Sequence, residues 1–70
     1  MSETTATYQV SGMTCGHCVS AVTDELTRLA GVRDVTVDLA TGSVTVTSEA
    51  PLPVADVRAA VDEAGYTLQS

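Results

Sequence analysis

Cys18-Val19-Ser20-Ala21-Val22-Thr23-Asp24-Glu25-Leu26-Thr27-Arg28-Leu29-Ala30-Gly31 is the stretch that decides how this chain folds. Val19, Val22, Leu26 and Leu29 recur at steps of three and four, so a helix gathers them on one face. Arg28 suits the last turn, where a cation meets the negative end of the helix dipole, and Gly31 suits the cap. Moved on by 35 positions, the same stripe lands on Val54, Val57, Val61 and Ala64. Pro53 fits the first position of that second helix, and Gly65 caps it. Two helices with one packing plan imply a structural unit that is used twice.

Working outward, each helix is flanked by strand patterns. Ala6, Tyr8 and Val10 alternate with Thr7 and Gln9, which is the period of a half-buried strand ended by Ser11 and Gly12. Val35, Val37 and Leu39 alternate with Thr36 and Asp38 in a second strand. Ala40-Thr41-Gly42 reads as a tight hairpin loop with Gly42 at positive φ, leading to a third strand around Val44 and Val46. Pro51-Leu52-Pro53 breaks the chain before the second helix, and Tyr66 and Leu68 alternate in a short last strand. Strand–helix–strand, run twice with right-handed crossovers, interleaves into a four-stranded antiparallel sheet with both helices on one face. The expected class is therefore α+β, a ferredoxin-like βαββαβ sandwich. Residues 1–4 are expected to be a disordered N-terminus, and 5–70 a single domain.

Seventy residues without Phe or Trp must build their core from Val, Leu, Ala, Met and two tyrosines. Cores of this size supply only ~3–5 kcal/mol, so small domains often lean on a metal or a disulfide. Nine acidic residues against three arginines give a net charge of −6. Such a chain cannot build the positive patch that displaces counterions from phosphate, which excludes nucleic acid and disfavours anionic lipid. No apolar run approaches the roughly 20 residues that span a bilayer, and no export signal opens the chain, so direct membrane insertion is not expected. The default compartment is cytoplasmic, where thiols stay reduced. The two cysteines then read as metal ligands or reactive thiols rather than as a structural disulfide.

Cys15 and Cys18, three positions apart at a loop-to-helix junction, can turn both sulfurs toward one point. The unpaired N–H groups and the dipole at a helix N-terminus favour negative charge there. Thiolates are soft donors that select Cu(I), which accepts two ligands, whereas structural zinc wants four. The glycine-containing approach is expected to expose both sulfurs. His17, between them, is expected to point outward as a solvated imidazole, with a role as accessory ligand in a dimer left open. Tyr66 can equally close the end of the core with its hydroxyl toward water.

Gly12-Met13-Thr14-Cys15-Gly16-His17-Cys18 resembles the GMTCxxC signature of heavy-metal-associated domains, and the likeness runs from Thr5 to Gln69, including Gly65-Tyr66. That family includes bacterial cytoplasmic copper chaperones and the N-terminal domains of copper-transporting P-type ATPases. The resemblance implies that Cys15 and Cys18 ligate Cu(I), that Met13 packs under the loop and that Tyr66 lies near the site. It also implies a non-enzymatic carrier that hands Cu(I) to the metal-binding domain of a copper-transporting ATPase, with a copper-responsive repressor as a second recipient. The apo chain is expected to be a monomer, with a copper-bridged dimer left open. Basic residues that could meet an acidic partner are limited to Arg28 and Arg58.

Two other readings compete. An excised metal-binding domain of a copper ATPase would carry the same motif. Cys-Gly-His-Cys is also the active-site tetrapeptide of disulfide isomerases, where one thiolate attacks and the second resolves. Thioredoxin-like folds are longer and usually place Trp before the first cysteine; here Thr14 stands there.

Overall fold

A computed structural model describes residues 3–14 and 16–69. The elements run β1 (Thr4–Ser11), α1 (Gly16–Thr27), β2 (Val32–Asp38), β3 (Ser43–Ser48), α2 (Val54–Glu63) and β4 (Thr67–Leu68). The sheet order is β2-β3-β1-β4, and every neighbouring pair is antiparallel. This is the expected ferredoxin-like arrangement. Each βαβ crossover passes over one intervening strand, which is why β1 and β3 occupy the centre.

Register explains which face is apolar. Tyr8 pairs with Val44, Ala6 with Val46, Val35 with Val46 and Val37 with Val44, so the alternating positions of three strands collect on one side. The helices cover that side. Val22, Leu26, Val57, Val61, Val44 and Val46 are the largest fully buried side chains, each worth about 1.5–3 kcal/mol in removed apolar surface. Ser48, also buried, satisfies its hydroxyl by donating to the Ala50 carbonyl at 2.7 Å. Among the described residues no helix is long and apolar enough to cross a membrane.

Several local expectations need correction. Thr4, expected to fray, already pairs with Ser48, and Glu3 reaches the Arg33 guanidinium at 3.0 Å; Met1 and Ser2 lie outside the described residues. The polar start is anchored by backbone pairing to a central strand, which needs no apolar side chain. Leu39 leaves the second strand and is 39% exposed. Asp38 ends that strand by accepting the Ala40 N–H on Oδ1 at 3.0 Å, while its carbonyl accepts the Gly42 N–H at 2.8 Å. Gly42 does take positive φ, +73°, and a Cβ there would stand 2.9 Å from the Val10 carbonyl oxygen. β2 begins at Val32, because a register shift between Val32 and Asp34 lets Val32 join the core side out of period.

Both helix boundaries also move. α1 ends at Thr27, so Arg28 lies past the last turn, where the chain tightens through Arg28 N–H to Glu25 O and Leu29 N–H to Leu26 O. Pro53 sits at the N-cap of α2, with ψ of 135°, rather than at its first helical position. Val54 is therefore at the very start of the helix and 53% exposed; Leu52 packs against the core before it and Ala60 is buried within it. Tyr66 precedes β4 and is not part of it.

Candidate metal centre

The connection from β1 to α1 is shaped first by Gly12. Its φ of +95° suits glycine, and a Cβ built on it would stand 3.2 Å from Cδ1 of Tyr66. The half-buried tyrosine ring thus lies against the loop backbone. Tyr66 is delivered by the end of α2: Gly65 N–H donates to Asp62 O at 2.9 Å and Tyr66 N–H to Val61 O at 3.1 Å. That pair of bonds is a Schellman closure, which turns the chain sharply back toward the sheet.

Met13 then dips into the core, 8% exposed, beside Cys18 at 6%. Thr14 is exposed, and its backbone N–H donates to Cys18 Sγ at 3.4 Å. A donor aimed at the sulfur stabilises negative charge on it. So does its place on the first turn of α1, at the positive end of the dipole. That turn carries no acidic residue that would compete.

Cys18 departs from expectation, since its sulfur was expected to be exposed. Cys18, Val22 and Leu26 are the buried residues of α1. Spaced by four, they place the cysteine at the head of the core stripe, a spacing that was readable in advance. Cys15 lies outside the described residues. His17 is exposed on the first turn, Met13 is beneath the loop and Tyr66 is beside it. The structure thus brings Met13, Cys18 and Tyr66 to one end of the core. Among the described residues no three His, Cys, Asp or Glu side chains gather to hold an ion, so they form no closed structural zinc site. The Thr14 N–H had no signal in the sequence, because every non-proline residue carries one.

Comparison with known proteins shows what the chain is similar to. A family model described as "Heavy-metal-associated domain" matches residues 7–67. Copper chaperone CopZ of Bacillus subtilis (strain 168) is 43% identical over 61 residues, covering 86% of this chain and 88% of CopZ. Copper-transporting ATPase 1 of Rhizobium meliloti (strain 1021) is 42% identical over 62 residues, 89% of this chain; the chain spans only 8% of that ATPase's length. Among solved structures, the N-terminal domain of ZntA in the apo form superposes with a TM-score of 0.87 at 37% identity, covering 97% of this chain and 92% of that one.

Proposed function

We propose that this chain, which belongs to the heavy-metal-associated domain family, is a cytoplasmic, non-enzymatic copper chaperone whose cargo is Cu(I), held by the thiolates of Cys15 and Cys18. The observation that carries the reading is the Thr14 N–H on Cys18 Sγ at the head of α1: a sulfur with a donor aimed at it, at a helix N-terminus free of acidic residues. Soft sulfur donors select Cu(I) among the common cellular ions. The likeness to CopZ over most of both chains supports the carrier role.

Release follows from ligand number. Cu(I) on two sulfurs can accept an incoming thiolate, and one donor thiolate then departs. Each exchange replaces sulfur by sulfur, so the ion moves without entering water. The expected recipient is the metal-binding domain of a copper-transporting P-type ATPase, and a copper-responsive repressor is a further recipient of the same chemistry. Met13 and Tyr66 act on this reading as the floor and side wall of the loop, and His17 as a solvated neighbour.

The test is an anaerobic Cu(I) titration against a competing chelator, with X-ray absorption to count sulfur and nitrogen neighbours. One ion per chain with sulfur neighbours only is expected, and C15S/C18S should lose chelator-resistant copper while keeping its fold. Copper retained by that double variant would sink the proposal. A second reading, a metal-binding domain working inside a larger transporter, is favoured by the ATPase match; an immunoblot of the native polypeptide's size separates the two.

A further inference from the structure

The root of the candidate loop is gripped by the segment that follows α2. β4 pairs with β1 at two positions, Val10 with Leu68 and Ser11 with Thr67. Alternation sends Val10 and Leu68 into the core and leaves Ser11, Thr67 and Gln69 exposed on the outer face of the sheet. From the core side, Tyr66 lies against Gly12. On the outer face Gln69 holds β1 twice. Its backbone N–H donates to the Gln9 carbonyl at 2.7 Å, and its Nε2 donates to Ser11 Oγ at 2.9 Å. Ser11 Oγ in turn reaches the Thr67 carbonyl oxygen at 3.5 Å. The other side of β1 is tied to the hairpin after β2, where Gln9 Nε2 donates to the Thr41 carbonyl and the Val10 N–H to the Gly42 carbonyl at 2.9 Å. The strand is thus pinned from both sides up to Ser11. Gly12, at positive φ, comes next, so the loop's freedom begins one residue after the last of these bonds.

A ladder of two residue pairs is short for a strand, so one side-chain bond is a large share of what keeps β4 against β1. The contact of Tyr66 with Gly12 rests on the same segment. If β4 lifts, the Ser11–Gly12 junction swings and its inner wall goes with it. Sulfur donors on a swinging loop must be gathered again whenever an ion is held. With the root fixed, that ordering cost is met at folding. Resting on the reading of the loop as a Cu(I) carrier, we propose that Gln69 and Ser11 are positioning residues of the metal loop. Their bond on the outer face fixes the loop's root and so slows the loss of copper, and neither side chain ligates the ion.

The test compares S11A, Q69A and S11A/Q69A with S11T, which keeps the hydroxyl, and with T45A. Thr45 Oγ1 lies 3.2 Å from Thr7 Oγ1, so T45A removes a comparable side-chain bond from the same face, away from the loop. Two rates are read: amide hydrogen exchange of residues 12–17 in copper-free protein, by NMR, and transfer of Cu(I) from loaded protein to excess chelator. S11A and Q69A should each speed both by about threefold to tenfold, the range expected for one lost hydrogen bond. The double variant should be no faster than either single one, since both remove the same bond. S11T and T45A should match the wild type. Additive effects, a T45A effect as large as that of Q69A, or wild-type rates in S11A and Q69A would overturn the proposal. Should Q69A fail to fold, Q69N, whose amide is one methylene short of Ser11, tests the same bond. A wrong carrier reading would appear instead as wild-type protein that holds no Cu(I), and exchange in the copper-free protein would still decide whether the bond fixes the loop.

Discussion

The two βαβ halves share a frame and differ in one connection. Val22 and Val57, like Leu26 and Val61, are matched by the 35-residue offset and are buried to 1% or less. Upstream the match stops. Gly16-His17-Cys18 forms the first turn of α1, whereas the corresponding Pro51-Leu52-Pro53 is not helical, so α2 starts three positions later in the repeat. A proline pushes the residue before it out of the helical region and removes an N–H donor, which erases that turn in the second half. In α2 the third helical residue is Asp56, a carboxylate at the positive end of the dipole; in α1 the third is Cys18. One half meets its helix dipole with a permanent anion. The other leaves the place to sulfur.

If the halves share one core, the largest effect should come from cutting the shared stripe. Leu26→Ala is expected to cost about 2–5 kcal/mol, enough to unfold much of so small a domain, whereas Val54→Ala, outside the stripe, should stay within about 0.5 kcal/mol. Chemical denaturation reads both. Next in size is Gly12→Ala, which forces a side chain onto a φ of +95° against the Tyr66 ring. A loss of about 1–3 kcal/mol is expected, and G12A/Y66A should recover only the part due to the ring, as a double-mutant cycle would show.

Smaller effects probe the helix starts. His17→Asp gives α1 the first-turn carboxylate that α2 already has. Its competition with sulfur for the dipole should weaken Cu(I) binding by up to about fivefold, the equivalent of 0.3–1 kcal/mol, measured by chelator competition. An unchanged or tighter affinity would break the comparison. Asp56→Asn is the smallest: a loss of roughly a few tenths of a kcal/mol, screened by salt, with Cu(I) affinity untouched.

Much of this was legible from residue spacing. The offset stripes and the alternation around Val10, Val37 and Val46 carry the sandwich, because helix and strand periods are local properties of the backbone. The seven residues Gly12–Cys18 pointed to the loop, because two soft donors at a helix start already limit the chemistry. What spacing misjudged were ends and exposures. Leu39 continues the alternation of β2 but falls to the Asx turn at Asp38, and Val54 continues the stripe of α2 but stands before any turn can bury it. Both errors come from extending a period past the point where a hydrogen bond or a proline stops it.

The linear chain by itself determined the element order, the apolar faces and which connection holds the sulfur residues, since these depend on neighbours a few positions away. Only the tertiary structure decided that Tyr66 lies against Gly12, that the Thr14 N–H meets Cys18 Sγ, and that Arg33 is held by Glu3 and Glu49. Those relations join segments far apart in sequence, or set a backbone group's direction. They arise only when packing two helices on one sheet brings the end of α2 to the start of α1.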